Sequence, residues 1–272
     1  MAGSPTVYGG SGDPARSLAL LWRDRRPPAR RRRAELDVDR IVAAAIAIAD
    51  ADGLGALSMR RVADRLGAGV MSLYTYVPGK AELIDLMFDA VCDSVCDDAG
   101  SDSGGPGDSG DDSGDAGWRG RLERIARDQW TLYHRHPWLV HLAFNRPVLG
   151  PNAMARYERE LRAVEGIGLT DLEMDSVISL VAGHVEGAAR RSIEIRQAQR
   201  RTGMTDQQWW SAHSPLLAEL VDSGRFPTAA RVGAAAGRAH GSAYDPGHAF
   251  EFGLQRVLDG IEMLIQGRHG TP

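Results

Sequence analysis

The sequence predicts an all-α fold: a three-helix helix-turn-helix block joined through a long helix to a larger helical domain. Three observations carry this. Apolar residues recur at three- and four-residue spacing through most of the chain. Glycines and prolines punctuate that pattern at helix-length intervals. No segment sustains the two-residue alternation of a half-buried strand, and no internal repeat is present.

Composition sets the bounds. The 272 residues are 43% hydrophobic, enough for a sizeable core, and the formal net charge is −4. No apolar run reaches bilayer length and no signal-peptide stretch opens the chain, so a cytoplasmic protein with no membrane partner is expected. Cys92 and Cys96 lie four apart on one helix face, a geometry that suits neither a disulfide nor a complete metal site. Lys80 is the only lysine. The arginine bias is a mark of GC-rich coding, and it leaves Lys80 conspicuous.

Charge is unevenly spread. Residues 1–33 hold eight arginines against Asp13 and Asp24, a net of +6, and show no periodicity; they read as a disordered basic arm. Residues 97–117, rich in Asp, Gly and Ser, read as an acidic flexible linker. Between them lies a helical block, 34–96, and beyond them a helical domain, 118–268.

Within 34–96, a first helix runs from Asp37 to Ala51 with Val38, Ile41, Ala45 and Ile48 on one face. Asp37 can cap it, and Gly53 and Gly55 stop it. A second helix follows Ser58 and covers Met59 to Leu66, after which Gly67-Ala68-Gly69 breaks the chain. A short third helix spans Val70 to Val77 and ends at Pro78-Gly79. A fourth opens at Lys80 and carries Leu83, Leu86, Met87, Ala90 and Val91 towards Cys96. Further helices are expected at 118–135, 138–144, 151–166, 170–200, 205–222, 228–238 and 246–267.

Two short helices joined by a glycine-bearing turn form the helix-turn-helix pattern, although many helical proteins contain such a corner. The outward face of the third helix is more informative. With Leu73 and Val77 inward, Val70, Met71, Ser72, Tyr74, Thr75 and Tyr76 fall on or near the exposed side. A solvated face is ordinarily charged, and this one is not. Its methyls and hydroxyls suit thymine methyls, base edges and phosphate oxygens. Lys80 at the start of the fourth helix, and Arg60 and Arg61 at the start of the second, stand where phosphates are held.

The stretch from Leu57 to Leu83, with Arg60, Ala63, Leu66, Gly67, Ser72, Leu73, Tyr74, Tyr76, Val77 and Lys80, resembles the signature of the tetracycline-repressor (TetR) family. The resemblance implies a homodimer on a near-palindromic operator in double-stranded DNA. It implies DNA contacts from Arg60, Val70, Met71, Ser72, Tyr74, Thr75, Tyr76 and Lys80. Tyr74 and Lys80 would hold phosphates, while Val70, Met71, Ser72 and Thr75 would face bases. Val70 departs from the polar residue that can stand there, which limits its readout to a thymine methyl or to shape. The basic arm has two readings, a solvated tail or a minor-groove arm through Arg30, Arg31, Arg32 and Arg33. The second would help a 34–80 block that holds five basic residues against six acidic ones.

Beyond Trp118 the chain is similar, more faintly, to the effector domain of the tetracycline-repressor subclass. The cues are His134-Arg-His-Pro137, the loop through Asn145-Arg-Pro147, and Gly183-His184. This implies a small-molecule effector. Ile125, Gln129 and Leu142 stand where that repressor grips its drug and magnesium, and they argue against a tetracycline–magnesium site. An apolar or aromatic ligand is expected instead, with Gln129, Trp130, Asn145 and His184 as candidate contacts; plain core packing is the alternative for each. The resemblance also implies a four-helix dimer interface from the 170–200 and 246–267 helices. Its stripe would be Leu254, Val257, Leu258, Ile261 and Ile265, an ordinary core helix being the alternative.

No cofactor or metal is expected. A helical enzyme fits poorly: His134 and His136, like His184 and Glu186, are two apart and diverge on a helix. No nucleophile elbow, phosphate loop or HExxH occurs. A helical interaction module that has lost DNA binding is the other rival, and the intact face of the third helix speaks against it. Repression relieved by a ligand is the family default, and the residues leave repression and activation both open.

Overall fold

The computed structural model describes residues 7–8, 13–23, 36–97, 117–143, 147–220 and 224–269. Among them the fold is all-α. The helices are α1 (Pro14–Leu21), α2 (Val38–Asp52), α3 (Met59–Leu66), α4 (Val70–Tyr76), α5 (Lys80–Asp97), α6 (Trp118–Arg135), α7 (Pro151–Arg162), α8 (Asp171–Thr202), α9 (Asp206–Leu220), α10 (Pro227–His240) and α11 (Pro246–His269). Short 3-10 turns lie at Leu54–Ala56 and Pro137–His141. Two-residue strands, β1 (Val7–Tyr8) and β2 (Leu142–Ala143), pair in parallel.

Local chemistry sets the element ends. Asp37 caps α2 by accepting from the Arg40 amide at 2.8 Å, and Ser58 caps α3 by accepting from the Arg61 amide at 3.2 Å. Gly67 ends α3 at φ +63°, a left-handed conformation that glycine enters without strain. The corner between α3 and α4 is therefore tight.

Packing divides the chain into two compact units, residues 1–179 and 180–272. α6 and α7 thus share a unit with the helix-turn-helix, whereas the sequence grouped them with the C-terminal helices in 118–268. The reason is α5, which packs against α1, α2, α6 and α7. Ile41, Ile48, Val62, Leu73, Val77, Leu83 and Met87 form one continuous dry cluster of this unit. The expected α5 stripe is buried, apart from half-buried Ala90, but Glu82, Asp85 and Asp89 are buried with it.

Three expectations need correction. The 1–33 arm is not structureless throughout: α1 forms behind an Asp13 cap and Pro14, and Leu21 is buried in the core cluster. The Trp22 indole donates to the Leu149 carbonyl at 2.8 Å, and Arg23 pairs with Asp39. An average over the arm's many polar residues conceals the apolar Leu18, Leu20 and Leu21. The expected helix at 138–144 is instead a 3-10 turn followed by β2. On α11, Leu254, Leu258 and Ile261 are already buried within the chain, so they cannot form the outward dimer stripe. Arg30, Arg31, Arg32, Arg33 and Asn145 lie outside the described residues, as does the 97–117 linker apart from Asp97 and Gly117.

Polar ties cross the first unit. Asp50 of α2 accepts from His136 Nδ1 and from the indole of buried Trp138, both at 2.8 Å. Asp89 Oδ1 accepts from the Asn152 and Ala153 amides at the start of α7, both at 3.0 Å. Further along, Arg156 lies beside the Cys92 thiol and donates to Glu160 at 2.7 Å, and Glu160 accepts from Gln129 of α6 at 2.8 Å. Burial disfavours the Arg156 charge, yet Glu160, with Cys92 and Tyr133, raises its pKa above the ordinary arginine value. In the second unit, His184 of α8 stacks on Phe250 of α11 and bonds its carbonyl at 2.9 Å. Gly253 makes this possible, since a β-carbon there would overlap the His184 ring.

Asp50→Ala leaves the buried Trp138 N–H without its acceptor, and it should lower the unfolding free energy by about 1–3 kcal/mol in urea titrations. A second expectation concerns alkali. Burial, the largest influence, pushes the Cys92 thiol from 9.0 up to about 11. The unfolded chain then loses this proton at lower pH than the native state. Stability should fall as pH rises from about 9 to 11, by about 2–3 kcal/mol at the limit. Urea titrations at pH 8 and pH 10.5 should show a smaller loss in Cys92→Ala than in the wild type.

Candidate nucleic-acid interface and effector region

α4 spans only two turns, and its phase is set by Leu73 together with Val77, both fully buried. Opposite them Met71, Ser72, Tyr74 and Thr75 are exposed, Met71 at 78%. The Thr75 hydroxyl reaches back to the Met71 carbonyl at 3.5 Å. Val70 and Tyr76 are half-buried and pack against the core cluster, so they flank the outward face without standing on it. The result is an exposed, uncharged strip of one thioether, two hydroxyls and one phenol.

Cations border the strip. Arg60 is exposed and has no ion pair among the described residues. Arg61, by contrast, pairs with Asp52 at the end of α2. Lys80 is half-buried at the start of α5, and this burial lowers its pKa from the ordinary lysine value. Glu82, buried in the same first turn, folds over Gly79, where a β-carbon would lie 2.8 Å from its Oε2. The helix end therefore already faces a carboxylate. That carboxylate makes the amides of this helix end a poorer place for an anion.

The effector candidates separate. Gln129 is 2% exposed, with its amide nitrogen on Glu160 and its Oε1 without a hydrogen-bond partner among the described residues. Trp130, next in α6, turns away and packs at 4.3 Å against the His134 ring. His184 is engaged with Phe250 in the other unit. α9 and α10 border an apolar cavity of about 590 Å³ lined by Trp210, Leu217, Ala230 and Gly233, among others. None of the sequence candidates lines it. Asp89, Arg156 and Glu160 were also missed, although a carboxylate inside the apolar α5 stripe is a signal that was available. Among the described residues no three His, Cys, Asp or Glu side chains converge as a metal ion needs. None of these helices is long and apolar enough to cross a membrane.

Residues 41–87 match the family of bacterial regulatory proteins called the tetR family, and residues 110–265 match the tetracyclin repressor-like C-terminal domain. The chain is 47% identical over 269 residues to the HTH-type transcriptional repressor DrrR1 of Streptomyces coeruleorubidus, covering 99% of this chain and 93% of that one. It is similar to apo ActR from Streptomyces coelicolor, with a TM-score of 0.64 and 27% identity over 86% of this chain and 98% of that one. ActR in complex with actinorhodin gives 0.64 and 28%, over 85% and 97%. The chain belongs to the TetR family of helix-turn-helix transcriptional regulators.

Proposed function

We propose that this protein is a ligand-responsive repressor that binds a near-palindromic operator as a homodimer and releases it when a small apolar or aromatic effector binds. The observation that carries this reading is the exposed, uncharged face of α4 bordered by Arg60 and Lys80. Met71, Ser72 and Thr75 read base edges and thymine methyls in the major groove, with Val70 at the margin of the contact. Tyr74, Tyr76 and Lys80 hold the backbone, and Arg30, Arg31, Arg32 and Arg33 add a minor-groove contact. The relative DrrR1 is a transcriptional repressor, and ActR is known in complex with (S)-DNPA and with actinorhodin. Both facts support the repressor and effector parts of the reading. Gln129, with one buried oxygen unpaired, is the favoured effector contact; Trp130, Asn145 and His184 are the others.

The homodimer is supported by what α8 and α11 leave uncovered within the second unit. Leu180 on α8, and Phe252, Met263 and Leu264 on α11, are exposed. Gly183 and Gly187 of α8 face open space, which allows close approach of a second helix. A dimer must set its two α4 helices one DNA turn apart, about 34–36 Å. The effector acts by favouring a different spacing.

Binding to fragments flanking the protein's own gene, at two salt concentrations, tests the DNA reading. Tyr74→Ala should weaken it about tenfold or more. Changing Arg25, Arg26 and Arg30 to Arg33 to Gln should flatten the log–log salt slope by up to about 0.9 for each phosphate that the arm no longer neutralises. Substitution is the sound test, because deleting the arm would also remove buried Leu21. Absence of specific binding in wild type, there and in genome-wide selection, would reject the reading. For the dimer, light scattering should give twice the 29.4 kDa chain mass, and Leu180→Asp with Met263→Glu should return it to one. A wild-type mass of one chain would remove the homodimer.

A further inference from the structure

The α7 corner is built around a buried charge. Asp89 is 0% exposed, and its Oδ1 accepts the amides of Asn152 and Ala153 in the first turn of α7. In return the Asn152 side chain donates to the Asp89 carbonyl at 3.1 Å. Gly150 stands at the cap position of α7 and offers no side chain. A β-carbon there would overlap the Asp89 carboxylate. So α7 is capped from another helix, and the anion sits at its positive end. One residue before Gly150, the Leu149 carbonyl is held by Trp22. One and two turns later, Arg156 and Glu160 continue the polar seam towards Cys92 and Gln129.

We propose that Asp89 is a positioning residue that pins α5 to the first turn of α7, so that the placement of α4 and Lys80 is governed from the α7 corner. Its regulatory meaning rests on the DNA-binding reading above. Lys80 lies nine residues before Asp89 on the same helix, about 13–14 Å along its axis. A tilt of about 10° at the pin displaces Lys80 by about 2 Å, enough to move α4 out of register with a groove. A buried apolar seam tolerates sliding. A buried carboxylate on two amides resists it, because sliding breaks both hydrogen bonds at once.

Hydrogen exchange of the full-length protein, without DNA or ligand, tests this on wild type, Asp89→Ala and Asp89→Asn. In Asp89→Ala the Asn152 and Ala153 amides should exchange at least about tenfold faster, and so should the remote stretch Leu73–Lys80, with α9 and α10 unchanged. Asp89→Asn keeps an acceptor oxygen and should fall between the two. Acceleration confined to Asn152, Ala153 and the α5 turn around residue 89 would make Asp89 a local cap and overturn the proposal. If every helix of Asp89→Ala accelerates together, that variant has unfolded, and Asp89→Asn decides by the same two regions: faster exchange in both supports the pin, no change at Leu73–Lys80 rejects it. Failure of the DNA reading would show separately, as wild type that binds no DNA, and it would leave the exchange result standing.

Discussion

A carboxylate shut away from water must find its hydrogen bonds inside the chain, and Asp89 finds them at the start of α7. Burying such a charge costs several kcal/mol, which only a close set of donors offsets. Two backbone amides and the α7 dipole are part of that set, and they bind the carboxylate in the register that α5 holds against α7. Much follows from this register. α5 is continuous from Asp89 back to Lys80, and Lys80 follows α4 after only Val77-Pro78-Gly79. Val77, Leu83 and Met87 then lock the same helix into the core shared with α2 and α3. The helix-turn-helix is thus anchored at one end by apolar packing and at the other by a buried polar seam.

The helices were legible wherever one dry face alternates with a wet one. Val38, Ile41, Ala45 and Ile48 gave α2 its phase, and Ser58, Gly67 and Pro78 marked the ends around it. α1 was hidden because composition was averaged over an arm in which three leucines are outnumbered. The stretch after Pro137 was too short for periodicity to distinguish a 3-10 turn from a helix. The α11 stripe shows a deeper limit. Periodicity reveals that a face is apolar, and it is silent on whether the chain itself or a second copy covers that face. Leu254 and Leu258 turned out to be covered by the chain.

At the candidate site, legibility followed the same rule. Leu73 and Val77 fix the α4 phase, so the exposure of Met71, Ser72, Tyr74 and Thr75 could be read in advance. Val70 and Tyr76 sit at the margins of that arc, where a seven-residue helix leaves little to separate inward from outward. Of the seam only Gln129 was singled out, as an effector contact; Asp89, Arg156 and Glu160 were not. Those residue types are ordinarily on the surface, and only three-dimensional packing brings them together. Asp85 and Asp89, four apart within an apolar run, were the one hint in the sequence.

The charge pattern explains why rigidity matters here. From residue 34 to 80 the acidic side chains outnumber the basic ones by one, Arg61 is occupied by Asp52, and the outward strip of α4 carries no charge. Such a strip cannot be drawn to DNA by a long-range field; on the reading proposed above, attraction would come from Arg60, Lys80 and the arginine-rich arm. On the same reading the strip would contribute discrimination through its methyl and hydroxyl groups. Their attraction is short-ranged, and a gap of about an ångström forfeits up to about half of it. A salt link tolerates a loosely held helix, whereas a thymine methyl does not. If this face is the recognition surface proposed above, its composition calls for a scaffold that holds α4 in one place, which is the role proposed for the buried seam along α5.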